Sequence, residues 1–410
     1  MTLQVGHVLA VRVEKPAAGG RMIARVDGQV ALVAGAIPGE VVEVRVERLA
    51  KHVAHAQTVA VLEPSADRRP PTGDPSCGGC AYAHVAYARQ LALKGEIVAD
   101  AFARIARLPL GQAVDVAPSR EEGYRMRARL HARASRIGFF REGTHDLCDV
   151  RQTRQLLAAT CDALDRAAAM LRSFGTSADA EIDLSENVDA SERVIQVETS
   201  GAADARALRR IESLEGFTRG PFVTDVLQVA DGAPMRLRRH VLAFFQGNRY
   251  VLPDLVSHVV ARLPRGGRVA DLYAGAGLFS VGAAIAADAR VTAVEGDRHA
   301  SADLAANAAQ ARGAVTVVHM PVEQFVGRPP AGAPPDAVIV DPPRTGVSRE
   351  ALDGISALRA PRIVYVSCDV ATLARDARRL VDAGYRLDRI DAFDMFPNTA
   401  HVETVAVFQL

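Results

Sequence analysis

The sequence predicts a three-part α/β protein whose C-terminal part is a doubly wound, Rossmann-like parallel sheet. From about residue 241 to the end, apolar strand patterns alternate with helical patterns, an order typical of parallel sheets covered by helices. The first sixty or so residues instead show short alternating strands separated by turns, which is typical of a small β-barrel. A mixed α+β region lies between them.

Composition narrows the class of protein. The chain has 410 residues, enough for two or three domains, and 49% of them are hydrophobic. The net charge is only +1, so any site for a polyanion must come from a local patch. The apolar stretch from Val269 is interrupted by Asp271 and three glycines, which argues against a membrane span. A few scattered cysteines favour a reducing compartment and a cytoplasmic protein: Cys77, Cys80, Cys148, Cys161 and Cys368.

Residues 1–62 are predicted to form the barrel. The segment "GRMIARVDGQVALVAGAIPGEVVEVRVERL" alternates apolar and polar positions, with turns at Asp27–Gln29 and Ile37–Glu40. Its N-terminus has the pattern of a strand, not of a signal peptide. Small barrels often bind oligonucleotides, although many bind none. The Pro-rich segment Glu63–Pro75 then indicates a linker.

Residues 63–237 are predicted to form a central domain that binds RNA. It contains a helical pattern near residues 86–106, and we expect this helix to pack on the C-terminal domain. The segment "YRMRARLHARASRIGFF" is predicted to be a strand with one basic face: Arg125, Arg127, Arg129, His131 and Arg133. Such a face suits RNA phosphates, and the alternative is a solvated edge strand. Met235–His240 adds a second basic cluster.

Residues 238–410 carry glycines and acids where predicted strands end. Gly275 and Gly277 follow the first strand, Glu295 ends the second, and Asp341 ends the fourth. Ligands bind at the carboxyl ends of the strands in this architecture, and an acid such as Glu295 accepts both ribose hydroxyls of an adenosyl group. The glycines lack the full G-x-G-x-x-G spacing. The set therefore fits S-adenosylmethionine better than a nicotinamide.

Cys368 ends the fifth strand, at the same edge. A small core residue is the alternative interpretation, since free cysteines are often buried. Asp369 is predicted to cap the next helix, which Gly384 ends, and a helix N-terminus favours the thiolate. Glu403 supplies a carboxylate near the C-terminus. A methyl donor, a thiolate and a base predict methylation of a pyrimidine at C5, because thiol addition at C6 turns C5 into a nucleophile.

In this combination the sequence resembles the RNA 5-methyluridine methyltransferases that carry an N-terminal TRAM domain, in particular those acting on 23S ribosomal RNA. The matching segments occur in order: "GGRMIARVDGQVALVAGAIPGE", "FFQGN", "DLYAGAGLFS", "VEG", "DPPRTG", "YVSCD" and "FPNTAHVET". The resemblance implies a class I methyltransferase domain and an RNA partner, with no DNA or membrane partner. It implies Cys368 as nucleophile and Glu403 as base. It also implies contacts to S-adenosylmethionine from Gln246, Tyr273, Glu295 and Asp341.

Many members of this family also hold a 4Fe-4S cluster on four cysteines. Cys77 and Cys80 match the middle pair of that motif, but the first position is Pro71 or Thr72 and the fourth is Thr153. Two ligands cannot hold such a cluster, and a structural zinc lacks ligands for the same reason. We therefore predict that the cluster is absent and that no metal is bound, unless Cys148 and a non-cysteine ligand replace the missing pair.

Three alternatives stay open at this point. The same chemistry could act on the T-loop uridine of a transfer RNA. The chain could be a non-catalytic RNA-binding or ribosome assembly factor, although Cys368, Glu403 and Asp341 are all intact. An exocyclic-amine methyltransferase is disfavoured, because Arg344 stands where those enzymes usually carry an aromatic residue.

Overall fold

A computed structural model describes residues 3–50, 53–133, 136–173, 179–199, 210–229, 234–328 and 333–410. These residues build a closed barrel, a five-stranded sheet, a two-stranded sheet and an eight-stranded sheet. Within the described ranges, no helix combines the length and the apolar character that crossing a membrane requires.

The N-terminal strands close into the predicted barrel, in the order β1-β2-β3-β5-β4. The alternation in the sequence places Val13, Val33 and Val44 in its core. Tyr82, Val85 and Leu93 join the same core from outside the barrel, so the segment after the barrel is fixed to it. The strands are Val8–Pro16 (β1), Met22–Val26 (β2), Gln29–Ala34 (β3), Val41–Ala50 (β4) and Val53–Glu63 (β5).

The central sheet is antiparallel, with the order β11-β10-β7-β8-β9. The arginine-rich strand β7 lies in its middle, so the alternative of an edge strand is wrong. The apolar face of β7 packs under helix α3, as the alternation predicts. The elements are β7 (Arg127–Arg133), β8 (Arg136–Phe140), β9 (Leu147–Asp149), α2 (Val150–Thr153), α3 (Ala158–Ser173), β10 (Ala180–Glu186) and β11 (Arg193–Thr199).

The C-terminal sheet has the order β16-β15-β14-β17-β18-β20-β19-β6, which confirms the doubly wound prediction. Its first five strands are parallel, and β20 runs antiparallel to both β18 and β19. Alternate residues enter two cores, one on each face, because buried parallel strands are apolar on both sides. The strands are β6 (Val116–Ala117), β14 (Arg268–Leu272), β15 (Arg290–Glu295), β16 (Val315–His319), β17 (Ala337–Val340), β18 (Arg362–Ser367), β19 (Arg386–Phe393) and β20 (Glu403–Gln409).

Helices flank this sheet, and a separate antiparallel pair of strands, β12 (Phe222–Leu227) and β13 (Met235–His240), precedes it. The predicted limit between residues 237 and 238 falls inside β13, and the domain limits stay predictions. The helices are α4 (Leu252–Val260), α5 (Leu278–Ala286), α6 (Arg298–Ala308), α7 (Val322–Val326), α8 (Arg349–Ala357) and α9 (Val370–Asp382).

Helix α1 (Tyr87–Ala101) and the π-helical turn Phe102–Ala106 connect the barrel to the C-terminal sheet. Val98 and Phe102 share a core with Leu373 of α9, as expected for this helix. Strand β6 then pairs with β19, so the chain enters the C-terminal sheet before it builds the central one.

Candidate active site

The carboxyl ends of β14, β15, β17 and β18 form one crevice, because these parallel strands end in register. Gln246 Nε2 donates a hydrogen bond to Asp341 Oδ2 at 3.2 Å. The backbone N–H of Gly275 donates to Glu295 Oε2 at 2.7 Å. The structure thus brings the predicted cofactor residues to one edge of the sheet.

The loop after β14 leaves its backbone open to the crevice. Tyr273, Gly275 and Gly277 all have left-handed backbones, with φ of 63°, 57° and 93°. A Cβ on Gly277 would lie 2.8 Å from Leu304 Cδ1, so close packing against α6 also requires glycine there. A Cβ on Gly275 would meet no heavy atom of the described chain within 4 Å. The space beside Gly275 is therefore free for a ligand.

Asp271 is a site residue that the sequence reasoning missed, although it begins the "DLYAGAGLFS" segment. The side chain is fully buried, and Ser280 Oγ donates to its Oδ2 atom. Its Oδ1 atom has no hydrogen-bond partner among the described residues. Burial raises the pKa of Asp271 to about 7, and burial together with the Asp271 charge raises that of Asp341 to about 7. Acids grouped at this edge, one of them with an unpartnered oxygen, fit the sulfonium and ammonium groups of S-adenosylmethionine.

Cys368 directly follows β18, and its thiol is partly exposed to the crevice. The Asp369 side chain accepts from the N–H of Thr372 at 2.8 Å, which confirms the predicted helix cap, and Gly384 ends α9 with φ of 100°. The expected thiolate is nevertheless not favoured. Burial and, to a smaller extent, the Glu403 carboxylate raise the pKa of Cys368 to about 12, and the Arg344 charge opposes both. Desolvation and a nearby carboxylate thus outweigh the helix N-terminus.

Glu403, the first residue of β20, is 1% exposed. Neither of its carboxyl oxygens has a hydrogen-bond partner in the described part of the chain. Burial, reinforced by the charge of Asp341, raises its pKa well above the ordinary value, while Arg344 opposes the shift. Buried polar groups are usually hydrogen-bonded, so a carboxyl held without a partner beside a thiol indicates a catalytic acid or base.

The basic face of β7 is partly neutralised. Arg129 forms ion pairs with Glu181 at 2.9 Å and Asp183 at 3.3 Å, and Arg133 pairs with an aspartate at 3.0 Å. Arg125 donates to Gln155 Oε1 at 2.7 Å. Arg127 lies with its guanidinium 5.9 Å from the ring centre of Phe244, a side chain that is 61% exposed. Phe244 precedes Gln246 by two residues, so Arg127 links this face to the crevice.

Cys77, Cys80 and Cys148 form a separate buried cluster beside Phe139. Cys80 Sγ donates to the backbone oxygen of Thr153 at 3.7 Å, while Thr153 Oγ1 donates to its own helix at Val150 O. Three thiols without a fourth side-chain donor do not fit a four-cysteine iron–sulfur site. No group of three or more His, Cys, Asp or Glu suited to a metal ion occurs among the described residues. The absence of the cluster stays a prediction.

The sheet order, the glycine loop and the acidic crevice define a class I methyltransferase domain, here joined to an N-terminal TRAM-type barrel. Family models for the TRAM domain and for tRNA (uracil-5-)-methyltransferases match residues 2–59 and 335–409. A 23S rRNA (uracil(1939)-C(5))-methyltransferase of Pseudomonas putida is 34% identical, over 99% of this chain and 94% of its own length. Its counterpart in Pseudomonas entomophila is 33% identical, over 99% and 95%. The chain therefore belongs to the S-adenosylmethionine-dependent RNA uracil-C5 methyltransferase family.

A solved structure supports the fold over the whole chain. The tRNA (uracil-54, C5)-methyltransferase of Pyrococcus abyssi, in complex with S-adenosyl-L-homocysteine, superimposes with a TM-score of 0.74. The match covers 97% of this chain and 99% of that one at 24% identity, so it shows the shared fold.

Proposed function

We propose that the protein methylates C5 of a specific uridine in 23S ribosomal RNA, through a covalent bond between Cys368 and uracil C6. The observation that carries this proposal is the buried, unpartnered Glu403 carboxyl beside Cys368 in the acidic crevice. The 23S rRNA activity named for two relatives of nearly full coverage favours ribosomal RNA over transfer RNA.

The cofactor would lie against the glycine loop. Gln246, Tyr273 and Asp341 line its place, and Glu295 would accept the ribose hydroxyls. Asp271 adds a buried carboxyl, whose pKa burial raises to about 7, at the base of the crevice. When bound, S-adenosylmethionine supplies an electrophilic methyl group on a sulfonium.

Side chains of the protein supply the nucleophile and the base for the remaining steps. The Cys368 sulfur bonds to C6, which makes C5 an enolate-like carbon that takes the methyl group. Glu403 then removes the C5 proton, the S–C6 bond breaks, and the C5–C6 double bond forms again. Both groups must be ionised when they act, yet burial raises the pKa of each. Arg344 is the residue whose charge lowers the pKa of both, so it assists this ionisation.

Methyl transfer to RNA tests this proposal. Purified protein is mixed with labelled S-adenosylmethionine and with undermethylated 23S ribosomal RNA or transfer RNA, and nucleoside mass spectrometry maps the product. We expect 5-methyluridine in one ribosomal fragment and none with Cys368→Ala. 5-Methyluridine in transfer RNA alone would contradict the ribosomal target. Binding of cofactor and RNA without any product would favour a non-catalytic RNA-binding factor.

The barrel and the central sheet would hold the RNA, with the target base turned out of any stack. Arg127 and Arg129 give a matched pair of variants, because Arg129 is exposed but ion-paired, whereas Arg127 is half-buried, donates to the backbone oxygen of Leu242 at 3.3 Å and faces Phe244 without an ion pair in the described residues. We expect Arg127→Ala to reduce the slope of log affinity against log salt by about 0.9, the value for one lost phosphate contact. Arg129→Ala should change it less. An unchanged slope for Arg127→Ala would reject its phosphate contact.

We also expect no iron–sulfur cluster. Iron and sulfide analysis after anaerobic purification tests this, and stoichiometric iron would contradict it. The cytoplasmic location expected from the unpaired cysteines stays a prediction.

A further inference from the structure

The loop between β19 and β20 leads directly into the proposed base, since Glu403 is the first residue of β20. This loop, residues 394–402, contacts helix α1 on one side and the barrel on the other. Buried polar groups with no part in the proposed chemistry make the contacts to α1, and an apolar side chain makes the contact to the barrel.

Lys94 holds the start of the loop. Its ammonium group is 0% exposed and forms an ion pair with Asp394, which is 0% exposed as well. Lys94 Nζ also donates to the backbone oxygen of Phe396 at 3.0 Å, and Tyr87 OH donates to Asp394 Oδ2 at 2.8 Å. A lysine is almost never buried completely unless it is paired, so this anchor needs a reason.

Gln90, one helical turn before Lys94, holds the middle of the loop. Its Nε2 donates to Asn398 Oδ1 at 3.0 Å, and its Oε1 accepts from the Asn398 N–H at 2.9 Å. Asn398 has a left-handed backbone, with φ of 62°. The Tyr82 N–H donates to Asn398 O at 2.8 Å. Both polar backbone groups of Asn398 are therefore bonded to α1 or to the segment that precedes it.

The barrel closes the other side of the loop. Ala400 packs against the barrel core, and a Cβ on Gly20 would lie 2.9 Å from Ala400 Cβ. The Glu403 carboxyl has no hydrogen-bond partner among the described residues, so no side-chain hydrogen bond fixes that group. Its backbone is placed by pairing with Phe393 of β19 and by the loop that joins the two strands.

We propose that Lys94 and Gln90 are positioning residues for Glu403, so that helix α1 holds the base in its working place. The inference rests on the proposed function. It predicts a specific defect: a displaced base leaves thiol addition and methyl transfer possible but slows the loss of the C5 proton. Without that proton loss the S–C6 bond cannot break, and methylated RNA stays covalently attached to Cys368.

The experiment uses RNA with tritium at uracil C5 and methyl-labelled cofactor. Methyl incorporation, tritium release and covalent protein–RNA adduct on denaturing gels are measured together. We expect wild type to release one tritium for each methyl group transferred. Lys94→Met and Gln90→Met should incorporate more methyl than they release tritium and should accumulate adduct. We expect kcat to fall by about tenfold to a hundredfold, the cost of a small misplacement, with the KM for S-adenosylmethionine unchanged.

Three controls separate positioning from loss of folding. Glu403→Gln sets the adduct level expected when the base is absent. Leu164→Ala opens a cavity in the core of the central sheet, far along the chain from this loop, and should lower stability without adduct. Lys94→Met combined with Asp394→Asn removes both buried charges, so it should fold better than Lys94→Met alone and still accumulate adduct.

The outcomes are distinct. Active Lys94 and Gln90 variants with equal methyl and tritium counts would overturn the inference while leaving the proposed function standing. Rescue of the defect by the paired Asp394→Asn change would overturn it too, because it would show that an unpaired buried charge was the cause. Wild type that neither methylates RNA nor releases tritium would instead overturn the proposed function.

Discussion

Cys368 and the cluster of Cys77, Cys80 and Cys148 are thiols in very different surroundings. The cluster is almost fully buried and touches Phe139, other thiols and a backbone carbonyl. Cys368 is partly exposed and lies in the field of Glu403, Asp341 and Arg344. Charges act on the cluster as well, from Asp74 and Arg141. The comparison therefore teaches that access beside an unpartnered carboxyl marks a thiol for chemistry, while nearly complete burial marks one for packing.

The largest expected difference between Cys368 and the cluster is the effect of substitution on the methyl-transfer rate. Cys368→Ala should lower methyl transfer by several orders of magnitude, because it removes the thiol proposed to bond with uracil C6. Cys148→Ala removes the same chemical group from the cluster and should leave the rate per folded molecule unchanged. Initial rates on the same RNA check both. A large loss of methyl-transfer rate in a fully folded Cys148→Ala variant would contradict this contrast, since the cluster would then contribute to the reaction.

Reactivity gives the second contrast. Because burial and Glu403 raise the pKa of Cys368 to about 12, its thiolate fraction should increase about tenfold per pH unit between pH 7 and 10. Iodoacetamide labelling of Cys368, followed by peptide mass spectrometry, should rise accordingly without a plateau. The three cluster thiols should stay unlabelled until the protein unfolds. A plateau for Cys368 near pH 7 would mean that the helix N-terminus dominates its ionisation after all.

The comparison also shows what sequence patterns can predict here. Every strand of the parallel sheet was predictable, because apolar runs ending in glycines or acids are local features. Asp271 begins the "DLYAGAGLFS" segment, but its unpaired oxygen depends on how α5 and β14 pack. The thiolate expectation failed for the same reason, since Glu403 approaches Cys368 only through the pairing of β18 with β20.

Contacts between distant segments were equally hidden. The helix near residues 86–106 was predicted to pack on the C-terminal domain, but only the docking of α1 reveals the ion pair between Lys94 and Asp394, which are 300 positions apart. The arginine strand was predicted correctly as alternating, yet the acids that neutralise Arg129 come from β10, a separate strand. From the sequence, Cys148 is only a possible replacement ligand, and the fold places it beside the Cys77–Cys80 pair.

A third prediction concerns the acids that set Cys368 apart. Asp271 is 0% exposed and its pKa is raised to about 7, so the folded state favours the protonated form. Its stabilising contribution is present below pH 4 and is lost as the pH rises to 7, because the folded protein then binds more protons than the unfolded chain. Asp271→Asn should therefore stabilise the ligand-free protein at pH 8 by about 2–4 kcal/mol, and less at pH 5.

Thermal melts at both pH values measure this gain, and calorimetry should show weaker binding of S-adenosylmethionine to the same variant. Leu164→Ala supplies the contrast, because it removes only buried apolar atoms and its effect on stability should not vary between pH 5 and 8. Equal stability changes at both pH values for Asp271→Asn would show that the carboxyl is not held neutral.

The smallest effect tests whether the cysteine cluster is packing alone. Cys148 is 1% exposed and contacts Cys77 and Phe139, so Cys148→Ala removes one buried sulfur and should lower the free energy of unfolding by about 1 kcal/mol. Cys148→Ser should cost more than Cys148→Ala, because it buries a hydroxyl among apolar atoms and thiols. Urea denaturation of both variants measures the order. Two results together would mean that the three thiols bind a metal ion. Cys148→Ala would lose several kcal/mol of unfolding free energy, and an added metal ion would stabilise the wild type but not the variant. A smaller loss of unfolding free energy for Cys148→Ala than for Cys148→Ser, with no response to metal, is the result expected if the three cysteines serve only as core residues.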